Sequence, residues 1–198
     1  KGRERPPPNV GTEEQQQHFS AGRLVHACVN LGTERLHLVG AYGYTMATTI
    51  KEQNIKNEAL MGAACTAVAG IGREPALFCG DLNVKLEASH ILTRHLQQGL
   101  LRDLALVESD LRGTPPQPTC FQTQTSVGTR IGYMLGNALA TAAFRSFRVC
   151  SHQDCPVPTH RATQLELDLA HTRQAINRLR RTDPITFVPH HAKAQEAE

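Results

Sequence analysis

The run Ala76-Leu77-Phe78-Cys79-Gly80-Asp81-Leu82-Asn83 constrains this chain more than any other segment. Apolar residues without alternation are what a strand needs when both of its faces are covered. The run then stops at Gly-Asp. It therefore predicts a buried central strand whose C-terminal end opens onto a site. Asp81 and Asn83 are two apart, and side chains on a strand alternate with period two, so extended backbone turns both to one side. Gly80 lets a substrate approach the backbone closely. An anionic oxygen ligand beside a neutral amide suits a phosphate with its magnesium ion. A plain Asp/Asn turn capping the following helix is the alternative reading of the same residues.

The surrounding pattern places this strand among others. Leu24 to Val29 and Arg35 to Tyr42 read as strands, and the turn residues between them predict a hairpin. Thr48 to Val68 carries a helical stripe, with Thr48 or Thr49 as its cap and Gly70 and Gly72 at its end. Ser89 to Gln98 reads as a second helix closed by Gly99, and Leu100 to Leu106 as strand or turn. Thr114 to Pro118 is loop material. Strands are expected over Thr119 to Gln124, Arg130 to Leu135, Ser146 to Val149 and Ala162 to Leu169. In the last of these Thr163, Leu165, Leu167 and Leu169 share a face. Residues 1–20 are rich in Pro, Gln and charge and read as a disordered linker or tail, with order beginning near Arg23. Residues 171–198 hold one candidate helix, Thr172 to Arg180, and a polar tail. Regular strand–helix alternation is absent. An α/β (α+β) architecture of two packed sheets flanked by helices therefore fits better than a doubly wound sheet or barrel.

Composition narrows the function classes. The net charge of +3 is too weak by itself to assign nucleic-acid binding. The longest uncharged, largely apolar run, Ala59 to Gly72, falls short of the roughly 20 residues that span a bilayer. No basic-then-apolar segment opens the chain, which starts at Lys1, so a soluble piece of a longer protein is expected. None of the six cysteines form C-x-x-C, and a reduced thiol set in an intracellular compartment (nucleus or cytoplasm) is the expectation. Cys150 and Cys155, which bracket His152 and Asp154, are the alternative metal ligands.

Further residues that can do chemistry stand at strand ends. His160, in Pro158-Thr159-His160-Arg161, precedes the final alternating strand, where it can act as a general base or stabilise charge developing on a phosphate. Tyr42 closes the second strand in Gly40-Ala41-Tyr42-Gly43, where its hydroxyl can contact a phosphate or its ring can simply pack.

In order, these segments resemble the endonuclease/exonuclease/phosphatase superfamily, which includes DNase I, apurinic endonucleases, inositol-phosphate phosphatases and retroelement endonucleases. The residues carrying the resemblance are Leu38-Val39-Gly40-Ala41-Tyr42-Gly43, Leu77-Phe78-Cys79-Gly80-Asp81-Leu82-Asn83, Pro118-Thr119-Cys120-Phe121, Arg130-Ile131-Gly132-Tyr133-Met134-Leu135 and Thr159-His160-Arg161-Ala162-Thr163. It covers about residues 22–170, and the strand leading to Gly-Asp-x-Asn is its most specific part. The style is similar to domains of retroelement or polyprotein reading frames.

The resemblance implies a DNase I-like two-sheet sandwich and hydrolysis of phosphodiesters or phosphomonoesters dependent on Mg²⁺ (or Mn²⁺), with nucleic acid or another phosphoester as substrate. It makes Asp81, Asn83, Tyr42 and His160 the catalytic residues and Asp81 a metal ligand. It also marks departures. The family's first strands carry an Asn and a metal-binding Glu, and nothing before Arg23 supplies them, since Glu13 and Glu14 sit in a Gln-rich stretch. The chain is therefore expected to lack those strands. Gly132 stands where the family has the carboxylate that orients the His, and Thr159 where it has a second acid. A His without its carboxylate loses tautomer control and basicity, so impaired catalysis is the expectation. Asp154 is the nearby acid that would have to compensate. The alternatives are an inactive domain that binds nucleic acid or protein, with Arg173, Arg178, Arg180 and Arg181 as phosphate contacts, or an unrelated sandwich with a chance Gly-Asp-Leu-Asn.

Overall fold

The computed structural model describes residues 13–31, 34–121, 127–151 and 159–170. The hairpin forms as expected. Strands β1 (Leu24–Leu31) and β2 (Glu34–Tyr42) pair antiparallel, from Leu24 opposite Ala41 to Leu31 opposite Glu34. The apolar run becomes β3 (Ala76–Asp81), which pairs parallel with β2 and antiparallel with β5 (Gly132–Gly136). The short β4 (Arg102–Asp103) completes a five-stranded sheet of order β1-β2-β3-β5-β4. Strands β6 (Phe144–Val149) and β7 (Thr163–Leu167) pair antiparallel as a second sheet.

The lack of alternation in β3 has the cause the sequence implied. Ala76 and Phe78 join an apolar cluster with Leu60, Met61, Ala64 and Leu92 from helices α2 (Lys51–Ile71) and α3 (His90–Gln97). Leu77 points the other way, into a cluster with Phe144, Phe147, Leu165 and Leu167 of the second sheet. β2 divides likewise, with Val39 and Ala41 in the first cluster and Leu36 and Leu38 against the second. One sheet thus lies between a helical layer and a second sheet, the DNase I-like architecture.

Several expectations are corrected. Residues 13–20 form helix α1 (Glu13–Ser20), whose Phe19 packs on the first cluster, so this part of the presumed tail is folded. Neither Thr48 nor Thr49 caps α2, which starts after Ile50 with no side-chain cap, while Thr49 Oγ1 donates to the Met46 carbonyl instead. Gly70 lies inside α2, and Gly72 ends it with φ of 72°. Leu100 to Leu106 is neither strand nor turn throughout: after β4, helix α4 (Leu104–Arg112) begins, capped by Asp103, whose side chain accepts from the Ala105 amide. A further short helix, α5 (Ala138–Ala142), is capped by Asn137. The strand expected from Thr119 reduces, over the described residues, to single bridges of Cys120 with Thr129 and His160. Asp154, His152, Cys155, the helix expected from Thr172 and its arginines lie outside the described residues.

Candidate functional site

The site lies where β2 and β3 end together. Tyr42 and Asp81 are register partners, and Asp81 is also opposite Gly132 of β5. Paired residues share a face, so Tyr42, Asp81 and Gly132 stand in a row across the sheet on the side of the second sheet. Tyr42 is half exposed.

Asn83 reaches this row by a different route from the one the spacing implied. β3 stops at Asp81, and Asn83 has a left-handed φ of 52°. Period-two alternation therefore does not orient it. Its backbone amide donates to Asp81 Oδ1 at 3.1 Å, and its Nδ2 donates to the Gly43 carbonyl at 3.0 Å. The Asp81 carboxylate holds the turn that carries the amide, and the Asp/Asn turn and the site are one structure.

Gly80 is also explained differently. A Cβ there would lie 1.8 Å from the carbonyl oxygen of Ala41. The residue must be glycine because β2 crosses it, which brings Tyr42 against Asp81; closeness to a substrate is not needed to account for it.

His160 comes from a distant part of the chain. The Phe121 amide donates to the Thr159 carbonyl and the Arg161 amide to the Thr119 carbonyl, each at 2.8 Å. These bonds fix the backbone on either side of His160. Its Nδ1 stands 3.9 Å from Asp81 Oδ2, an ion-pair distance too long for a hydrogen bond. All four sequence-identified residues thus come to one end of the sheet. Thr159 is an exposed turn residue.

Two supporting residues were given no role by the sequence reading. Buried Thr119 uses Oγ1 to accept from the amides of Gly132 at 2.9 Å and Ile131 at 3.3 Å, binding the His160 segment to β5. Arg23 lies at the mouth of β1. Its Nη1 donates to the carbonyls of Tyr42 and Gly43 at 3.1 and 3.2 Å, and its guanidinium sits 4.0 Å from the ring centroid of Tyr44 and 5.5 Å from that of Tyr42. A basic residue just before the first strand was the available signal. Arg130, part of the quoted motif, faces inward and pairs with the buried Asp103 beneath the Tyr133 ring.

The thiols near the site are held in their neutral form. Burial pushes Cys120 and Cys79 up, and the Asp81 charge adds to the effect at Cys120. Among the described residues no group of three or more His, Cys, Asp or Glu side chains is arranged to hold a metal ion. Asp81 is the single carboxylate of the row. A magnesium ion held by one carboxylate takes the rest of its shell from water and substrate phosphate. The residues present therefore fit an ion that arrives with a phosphate rather than one caged beforehand.

No protein-family model matches the chain, and no curated protein matches its sequence. Solved structures do match. The 3′ phosphatase NExo from Neisseria, bound to a product DNA hairpin, is 17% identical with a TM-score of 0.54, over 74% of this chain and 65% of that one. The APE2 catalytic domain of Xenopus laevis is 18% identical with a TM-score of 0.57, over 79% of this chain and 59% of that one. An AP endonuclease from Archaeoglobus fulgidus is 15% identical with a TM-score of 0.55, over 74% and 65%. This chain spans less than two thirds of the length of each of these structures.

Proposed function

From the DNase I-like fold of the endonuclease/exonuclease/phosphatase proteins, which this chain shares, we propose a nuclease-type phosphoester hydrolase that acts on nucleic acid at the end of β2 and β3 and turns over slowly. The convergence of Tyr42, Asp81, Asn83 and His160 on one sheet end carries this reading. DNA as substrate class is supported by the structural neighbour bound to a product DNA hairpin.

Each side chain has a task that its position allows. Asp81 would hold Mg²⁺ (or Mn²⁺) together with the substrate phosphate, and such an ion offsets charge developing on the phosphate oxygens. Asn83 and the Tyr42 hydroxyl orient those oxygens. His160 has Nδ1 toward Asp81, so Nε2 is the atom that takes the proton of the attacking water. A new P–O bond forms as the ester P–O bond breaks; the leaving oxygen takes a proton from solvent water, and His160 returns the proton it took to solvent.

Slow turnover follows from Gly132. Gly132 offers no acceptor for an imidazole N–H, and among the described residues the 3.9 Å gap to Asp81 leaves the tautomer unfixed. The same observation favours a second reading, an inactive domain that retains phosphate binding.

Supercoiled plasmid with Mg²⁺ or Mn²⁺ separates the two. The proposal expects nicking that EDTA stops and that Asp81→Ala lowers by at least about a hundredfold. A folded wild-type chain that binds DNA in a salt-sensitive way without nicking it establishes the second reading.

A further inference from the structure

Arg23 makes two hydrogen bonds and two cation–π contacts at the edge of the site. Its two hydrogen bonds go to consecutive carbonyls, those of Tyr42 and Gly43. These belong to the two residues that link it to the site. Tyr42 is the register partner of Asp81. The Gly43 carbonyl, besides accepting from Arg23, accepts from Asn83 Nδ2. Arg23 and Asn83 therefore share one acceptor. The backbone closes the same circuit: the Tyr42 amide donates to the Arg23 carbonyl at 2.9 Å, and the Gly43 amide donates to the Asp81 carbonyl at 2.7 Å. Gly43 has no room to adjust, because a Cβ there would lie 2.1 Å from the Leu82 carbonyl oxygen.

We propose that Arg23 is a positioning residue that sets the Tyr42-Gly43 crossing, and through it the aim of the Tyr42 ring and the Asn83 amide at a phosphate beside Asp81. The inference rests on the phosphoester reading above. A planar guanidinium suits this task, because it forks to two carbonyls while its face lies on Tyr44 and near Tyr42. A lysine keeps the charge but lacks the fork and the planar face. The arrangement is partly open to solvent: Tyr42 is exposed, Arg23 and Tyr44 are half-buried, and Gly43 is buried. None of these contacts belongs to the apolar core except through the edge of Tyr44, so losing them is expected to move the aim of the side chains more than the stability of the fold.

The test uses the full 198-residue chain with Arg23→Lys and Arg23→Met. The side-chain amide of Asn83 is followed by NMR, with the melting temperature and the nicking kinetics alongside. The proposal expects both variants to keep a wild-type melting temperature within a few degrees and to shift the Asn83 side-chain amide signals. Nicking kcat is expected to fall roughly tenfold or more with KM little changed, as misplacement of a reacting group does. Unchanged Asn83 signals in both variants overturn it, whatever the kinetics do. A wild-type chain that does not nick sinks the phosphoester reading, and the Asn83 signal still decides whether Arg23 positions the amide. A variant that loses the Asn83 signals by unfolding shows Arg23 to be part of the fold rather than the aim of the site, which also overturns the proposal.

Discussion

At the scale of single residues, glycines decide how this site is built. Gly80 and Gly43 are backbone crossings that admit no Cβ. Gly132 is different: a Cβ there meets Thr119 Oγ1 at 3.2 Å and Thr119 Cβ at 3.4 Å, a contact that a small shift of Thr119 relieves. The position faces the site from between Asp81 and the 119–120 segment to which the His160 backbone is bridged. Gly132→Asp is expected to give His160 an orienting acid and to raise the nicking rate by about tenfold or more. It is expected to cost about 1 kcal/mol of stability through the displacement of Thr119. Plasmid nicking and thermal unfolding of the variant check both halves. A folded variant with an unchanged rate would mean that His160 is not limited by a missing acid at this position. The residue types of the candidate site were legible in the sequence, because Asp, Asn, Tyr and His at strand ends are chemically distinctive. Their aim was not. Asn83 is oriented by a hydrogen bond to Asp81 and a left-handed φ, and neither follows from spacing two along a strand.

At the scale of elements, strands buried on both faces were easy to recognise and short capped helices were not. β3 has apolar residues on each side, and that pattern has few other uses. α4 and α5 are short and depend on their caps. Asp103 accepts from Ala105, and Asn137 accepts from Ala140 while also bonding the Ala76 amide and the Glu74 carbonyl. Such caps are legible only when an Asp or Asn is tested as a helix start. Asp103 does a second thing that no local pattern contains: it pairs with Arg130, ahead of β5 and distant in sequence. Its side chain is 0% exposed, and that of Arg130 is 17% exposed. Removing one partner of a buried pair leaves a charge without compensation, a loss of roughly 3–5 kcal/mol. Arg130→Met is therefore expected to lower stability by that order, and Asp103→Asn to recover part of it in the double variant. Urea unfolding of the single and double variants measures the coupling. Additive effects would show that the pair does not hold α4 to β5.

At the scale of the whole molecule, the two-sheet layering followed from the order of elements, while the folding of residues 13–20 did not, because a polar, Gln-rich helix has little periodicity to read. The far side of the large sheet adds a pH dependence that is separate from the site. His26 of β1 shares a 2.9 Å hydrogen bond with His37 of β2, and the two rings stack with centroids 5.2 Å apart. His37 also meets Glu74, which pairs with Arg35, and Cys28 lies 3.9 Å from His37 Nε2. The cluster therefore joins β1, β2 and the turn before β3. Burial, and then the charge of His37, lower the His26 pKa from its ordinary value of 6.5. The unfolded chain then binds more protons than the folded chain as pH drops through that range, so stability falls with acidification. The contribution is intact above the ordinary histidine value and is lost as pH descends through the lowered one. Melting temperature is expected to drop between about pH 7.5 and about pH 5.5, and His26→Gln is expected to flatten that slope. The variant removes the group that resists protonation and leaves His37 with Glu74 in place. An equal slope in wild type and variant would assign the acid sensitivity to other histidines, and the hairpin would then not be where protons first loosen the fold.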